Sequence, residues 1–282
     1  MSRRRNVARH LKSLDEIREI MNSMKTLAYV ETQKLSRLLE SQRAVVATIE
    51  QVADDFLSFH PELLSERREA ACTYLLIGSE RGFCGDLNPG LLRALDAAVR
   101  ESGEEAPLVI GVGRKLHVVL EDDSRVAALI DGPGVAEEVV AVLHRIVAEL
   151  MALQSARGAR PLRGLYTGDD GSVAIEDLLP PFRRKNRPRR FPHPPMLNVE
   201  PAQFLLDLTD QYLFAALHEM LYVALMTENH RRVAHLEGAV RHLDDQAAAL
   251  AHKHNALRQE EIIEEIEVIL LNVPQPADGS KR

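Results

Sequence analysis

The N-terminal part of the chain carries one apolar stripe. Leu11, Leu14, Ile17, Met21, Met24, Ala28, Leu35, Leu38, Val45, Ile49, Val52 and Phe56 recur mostly at steps of three and four, the period of one helix face. No Gly or Pro interrupts the chain before Pro61. The pattern predicts a helix from about Arg3 to Phe59, roughly 80 Å long at about 1.5 Å per residue. Such a helix outruns the width of a small domain and requires a partner of similar length. From Pro201 to about Asn272 there is no further Pro and a single Gly, Gly238; Pro201 suits a first helical turn. Leu236, Leu243, Leu250 and Leu257 stand seven apart, with Val240 and Ala247 at the alternate position, which is a coiled-coil seam. The two helices can pair only if the intervening chain reverses direction. An antiparallel pair with an insert is therefore expected.

Between about Arg68 and Pro195 the pattern changes. "CTYLLIG", "PLVIGV", "RVAALI" and "LRGLYTG" are short apolar runs, separated by helix-like stretches at Pro89 to Arg100 and Val135 to Ala156. Alternating strand and helix predict an α/β domain with a mostly parallel sheet. "PPFRRKNRPRRFPHPP", Pro180 to Pro195, reads as a basic, Pro-rich connector. Its charge could suit RNA or anionic lipid, but no aromatic platform accompanies it, and a solvated connector is expected. The expected organisation is a coiled-coil helix over 1–60, an inserted α/β domain with its linker over 68–195, a second coiled-coil helix over 200–273 and a flexible tail over 274–282.

Composition narrows the class. Apolar residues make up 45% and charged residues 27% of the 282, so the chain is globular rather than disordered. The net charge of -7 argues against a nucleic-acid partner. Two cysteines, Cys72 and Cys84, make no secreted disulfide framework and read as small buried hydrophobes in a reducing compartment. No run approaches the roughly 20 apolar residues of a membrane span. The basic start "MSRRRNVARHLKSLDEI" lacks the apolar core of a secretory signal. A soluble chain is expected, linked to a membrane only through partners.

"SERGFCGDLN", Ser79 to Asn88, lies between a strand and a helix, where nucleotides often bind. It lacks the lysine and terminal hydroxyl of a phosphate-binding loop, is not Gly-x-Gly-x-x-Gly, and carries Glu80 and Asp86, which would repel phosphate. "GVGRK", Gly111 to Lys115, reads as a tight turn. Cys84 has Arg81 nearby in sequence but no His to activate it. His230, His235, His242, His252 and His254 form no His-Glu-x-x-His; His252 and His254, two apart, point to different helix faces. No catalytic residue, cofactor or metal site is expected.

The same loop resembles the Ser/Asp-x-Arg-Gly-Leu-Cys-Gly-x-Leu/Phe-Asn signature of the gamma subunit of F-type rotary ATP synthases. Ser79, Arg81, Gly82, Cys84, Gly85, Leu87 and Asn88 match, and Phe83 replaces the usual Leu. "ARHLKSLDEIREIMNSMKTLAYVETQKLSR" is similar to that family's N-terminal helix, with Met24 and Lys25 at its Met and the neighbouring position. "ALRQEEIIEEIEVIL" is similar to its C-terminal Ala-Arg-Gln-x-x-Ile-Thr-x-Glu-Leu-x-Glu-Ile segment. Arg258 and Gln259 match there, and Ile262, Glu265, Ile266 and Ile269 follow in register. The departures are Ile263 for the usual Thr, "HLEGAVRHLDD" for the usual Met-Lys-x-Ala-Thr-Asp-Asn-Ala, and the tail "VILLNVPQPADGSKR". They suit a divergent gamma of the alternative, N-type bacterial ATPases.

The resemblance implies a long antiparallel coiled coil with an inserted Rossmann-like α/β domain. It implies a non-catalytic central-stalk rotor that couples ion flow through the ring of c subunits to ATP synthesis or hydrolysis in a hexamer of alpha and beta subunits. The epsilon subunit is a further partner, and the location is peripheral, on the cytoplasmic face of a bacterial membrane. Met24, Lys25, Arg258, Gln259, Ile262 and Ile266 are the expected rotor–hexamer contacts. The leucine stripe ends at Leu257, and the apolar positions then move to Ile262, Ile266, Ile269 and Val273, a phase change at which the shaft would become a single helix inside the hexamer. A coiled-coil scaffold or tether unrelated to ATP is the alternative, with an enzyme third.

Overall fold

Helix α1 spans Arg3–Leu57, and Pro61 opens the 3₁₀ turn that follows. The structure, a computed structural model, describes residues 3–64, 71–182 and 190–271. The expected tail 274–282, Val273, residues 183–189 of the Pro-rich connector and the first residues of the insert, 68–70, lie outside that description. After α1 come β1 (Thr73–Ile77), α2 (Leu87–Ser102), β2 (Leu108–Val112), α3 (Arg114–Leu120), β3 (Val126–Ile130), α4 (Val139–Arg157), β4 (Leu162–Thr167), β5 (Val173–Leu179) and α5 (Pro201–Leu271). The chain divides into two units, and their boundary crosses both long helices.

One unit holds residues 3–26 of α1 and 236–271 of α5. Arg18 Nη1 lies 3.3 Å from Asp244 Oδ1, and Arg4 Nη1 lies 3.1 Å from Glu261 Oε2. Moving down α1 thus moves up α5, so the helices are antiparallel. The covered face of α5 runs Leu236, Val240, Leu243, Ala247, Leu250, His254, Leu257 and Glu261, at steps of four and three. The expected phase change therefore concerns apolarity alone. The packed face stays in register to Glu261, while the isoleucines after it face outward.

The other unit spans Leu27–His235. Its sheet has the order β3-β2-β1-β4-β5. The first four strands are parallel, and β5 pairs antiparallel with β4. β1 and β2 are buried throughout because both faces are covered. Leu75, Ile77, Ile110 and Val112 point to one side, against Leu35 and Leu39 of α1, Val139 and Ile146 of α4, and Leu217 and Leu221 of α5. Tyr74, Leu76 and Val109 point to the other, against Leu91 and Leu95 of α2 and Leu116 and Leu120 of α3. This is the period-two alternation of a strand.

Three expectations change here. The α1 stripe is narrower than the sequence pattern. Leu14, Ala28, Leu35, Ala53 and Phe56 are buried, whereas Ile17, Leu38, Val45 and Val52 are 37–46% exposed at its margins. α3 and β5 went unpredicted. α3 is only seven residues long, and β5, "VAIEDLL", is a half-exposed edge strand interrupted by charge. Finally, among the described residues one helix, Ala136–Arg157, is long and apolar enough to cross a membrane. Its Val139, Val142, Leu143 and Ile146 are buried in the core, which makes its apolarity that of a sheet-covering helix.

Candidate functional site

The parallel strands place a topological switch point between β1 and β4, because chain leaving β1 turns toward β2 and chain entering β4 returns from β3. In open α/β sheets ligands bind in the crevice outside the strand ends at that point. The loop leaving β1, Ser79 to Asp86, lies there. Asn88, in the first turn of α2, folds the loop back. Its Oδ1 accepts from Ser79 N and its Nδ2 donates to Ser79 Oγ, both at 3.0 Å. A Cβ on Gly78 would lie 2.6 Å from Asn88 Oδ1, so the glycine permits this closure. Phe83 and Gly85 take left-handed backbone, φ +64° and +62°. Leu87 is buried against the α2 side of the sheet.

α5 fills the crevice. The Glu228 carboxylate accepts from the backbone N–H of Glu80 and of Arg81, each at 3.0 Å, and is ion-paired with Arg232 one turn on. Arg232 Nε donates to Gly82 O at 3.1 Å and Nη1 to Asn229 Oδ1 at 2.6 Å. Both charged side chains are 4% exposed. Burial pushes the Glu228 carboxyl upward, against the pull of Arg232 and the two N–H groups. The Cys84 thiol faces the carbonyls of Gly82 and Arg81 at 3.3 and 3.4 Å, and burial pushes it up to about 11. On the β4 side, Thr227 Oγ1 donates to Gly168 O at 3.2 Å, and Arg231 donates to Gly171 O and Asp86 Oδ1 at 3.0 and 3.1 Å.

Glu80, read from sequence as a phosphate repellent, takes the anion's place itself. Its Oε2 accepts from Arg114 N, at the start of α3, at 2.9 Å and from Gly132 N at 2.8 Å. Glu228 thus occupies the loop N–H groups beside β1, and Glu80 those beyond β2 and β3. Among the described residues no group of three or more metal-ligating side chains is brought together. His230, His235, His242 and His252 are exposed and His254 lies on the covered face of α5.

A family model described as ATP synthase matches residues 3–271. The chain belongs to the ATP synthase gamma family. An ATP synthase gamma chain of Pelotomaculum thermopropionicum is 23% identical over 279 residues, covering 94% of this chain and 96% of the relative. One from Caldanaerobacter subterraneus is 20% identical over 288 residues, covering 93% and 96%. One from Desulforamulus reducens is 28% identical over 120 residues, 41% of each chain. Among solved structures, a chain of the Euglena gracilis mitochondrial ATP synthase, OSCP/F1/c-ring, superposes with a TM-score of 0.60 at 14% identity, covering 99% of both chains. A chain of the Tetrahymena thermophila central stalk and c-ring gives 0.59 at 18% identity, covering 78% of this chain and 99% of that one. Those two likenesses show the fold. The scaffold reading finds no support.

The structure puts Ser79, Arg81, Gly82, Cys84 and Gly85 in the loop at the switch point and Leu87 and Asn88 in the first turn of α2, and leaves the six expected contact residues in the coiled-coil unit. There they fall on two levels. By the Arg18–Asp244 and Arg4–Glu261 pairings, Arg258 and Gln259 stand level with the start of α1. Met24 and Lys25 lie roughly 28 Å further down the axis at about 1.5 Å per residue. Met24 and Lys25 are half-buried, and Arg258 and Gln259 are exposed. Ile262 and Ile266 are 45% and 50% exposed. The sequence reading missed Glu228 and Arg232. Their signal is an acid–base pair four apart directly after the apolar run "LYVALM", spaced for one helix face.

Proposed function

We propose that this chain is the non-catalytic central-stalk rotor of a bacterial F-type ATP synthase. It is a peripheral subunit on the cytoplasmic face, coupling ion flow through the c ring to ATP synthesis or hydrolysis in an alpha/beta hexamer, with an epsilon subunit beside it. The observation that carries the reading is the end of α5. Past the Arg4–Glu261 level, Ile262, Ile266 and Ile269 are 45%, 50% and 63% exposed, an apolar row with no α1 residue opposite among those described. An exposed apolar face of this kind marks an interaction surface, and a hexamer bore that accepts a single rotating helix suits it. Arg258 and Gln259 sit at the mouth of that segment, where the Arg258 guanidinium can meet a carboxylate of the hexamer as a planar fork. Met24 and Lys25 form a second, lower level of contact. The filled crevice supports a stalk whose nucleotides are bound by its partners, which the turning helix drives through different affinities.

The test is co-expression with the alpha and beta subunits encoded in the same genome, followed by size exclusion and an ATPase assay. One copy of this chain with three alpha and three beta subunits, hydrolysing ATP at several sites, is the expected result. Failure to assemble with any such pair overturns the reading.

A further inference from the structure

We infer that Glu228 and Arg232 are positioning residues for transmission, fixing the α/β sheet to α5 in one rotational register. The inference rests on the stalk function proposed above.

Toward the N-terminal side of this turn, α5 meets the sheet through the apolar side chains of Leu217, Met220, Leu221 and Leu225. Apolar burial is non-directional and resists rolling of a helix far less than directed bonds do. The Glu228–Arg232 turn is directed. It satisfies two loop N–H groups with one carboxylate, at 3.0 Å each, and one loop carbonyl with a guanidinium at 3.1 Å. Both side chains are 4% exposed, so water cannot replace any bond that breaks. Turning α5 by one residue, about 100°, would carry the Glu228–Arg232 pair away from the loop and leave the two loop N–H groups and the Gly82 carbonyl unpaired together. Such groups are costly to leave unmade. The loop is in turn tied to the sheet through Asn88 and Glu80, and Thr227 and Arg231 tie the same stretch of α5 to the β4 side. A twisting load between helix and sheet therefore passes through this turn.

Hydrogen exchange on the isolated wild-type chain is the first test. The amides of Glu80 and Arg81 should exchange as slowly as those of Leu75 and Leu76 in β1; exchange at the rate of an open loop overturns the inference. In Glu228→Gln, and separately in Arg232→Lys, the Glu80 and Arg81 amides should exchange at least tenfold faster with β1 unchanged, and retained protection overturns it. The second test uses the assembled complex in vesicles, with Leu221→Ala as a control for simple loss of stability. Glu228→Gln should keep ATP hydrolysis within twofold while ions pumped per ATP fall at least fivefold, and Leu221→Ala should leave that ratio unchanged. Equal ratios in the two variants overturn the inference. Absence of assembly by the wild-type chain instead overturns the stalk reading, and the exchange result then still decides whether the turn fixes the loop.

Discussion

Arg4 Nη1 lies 3.1 Å from Glu261 Oε2, one residue from the start of α1. The isoleucines beyond it contribute little to the stability of the chain alone. The double variant Ile262→Ser/Ile266→Ser should therefore melt close to wild type, within about 1 kcal/mol for two exposed substitutions. Assembly should suffer much more, since burying one isoleucine contributes about 1.5–3 kcal/mol. Thermal melting and titration against the alpha/beta hexamer separate the two effects. Wild-type affinity in the double variant would remove the bearing from this segment.

Arg258 offers a sharper version of the same test. It is exposed in the free chain, so Arg258→Ala should not change melting. In the assembled ATPase, loss of a buried charged contact typically costs about 2–5 kcal/mol, and Arg258→Lys should recover only part of it because lysine cannot present a planar fork. Full activity in the alanine variant would make Arg258 an ordinary surface residue.

The two thiols should be inert. Burial first, then Glu104, pushes Cys72 up to about 11; burial first, then Glu228, does the same for Cys84. At pH 8 each is a thiolate roughly one-thousandth of the time, against about a quarter for an ordinary cysteine. A thiol-reactive dye should label the native chain at least a hundredfold more slowly than the denatured chain. Rapid native labelling of Cys84 would show that the loop opens.

Gly113 ends the turn after β2 with φ +115°, and a Cβ there would lie 2.8 Å from Ser79 O and 2.9 Å from Gly78 O. Both obstacles are backbone, so neither can rotate away. Gly113→Ala should destabilise by about 2–4 kcal/mol, combining strained backbone with overpacking. Denaturant melts measure this, and a change below about 0.5 kcal/mol, the level of a neutral surface substitution, would contradict the geometry.

Glu50, Glu176 and Glu219 line one cavity between α1, β5 and α5, with Arg43 as its cation. Burial, then Asp54 and Glu176, raises the Glu50 carboxyl above its usual range. The folded chain then holds that proton more tightly than the unfolded chain. The resulting stability is complete below about pH 4 and is lost as pH rises through the folded value. Glu50→Gln removes the charge and keeps the shape, so it should raise the melting temperature at pH 7 and leave it unchanged near pH 4. An equal effect at both pH values would rule out the charge as the cause.

Periodicity made the long helices legible, because each buries one face whose spacing is fixed by local geometry, and short continuous apolar runs marked the first four strands, β1 and β2 among them buried throughout. α3 and β5 were not legible. Arg114 to Leu120 is too short to display a period, and β5 alternates Ile175 and Glu176 with Asp177 at a sheet edge where one side meets water. The signature loop could be read as unsuited to phosphate, but not what occupied its crevice. Glu228 lies 148 residues from Glu80 in sequence, and only the return of α5 to the strand ends brings them together. Ile262 could be marked from the break in the leucine register and Arg258 through the family resemblance, whereas their separation from Met24 depended on knowing which residues of α1 and α5 stand opposite one another.

The Glu80 carboxylate, held at 2.8 Å by Gly132 N and 2.9 Å by Arg114 N, is an internal ligand for two backbone donors. A dissolved phosphate seeking those donors would have to displace a group tethered beside them, whose effective concentration is on the order of millimolar or higher. Both donors are thus satisfied within the fold. Deleting one side chain would expose them, where adding a nucleotide-binding motif would still leave them taken.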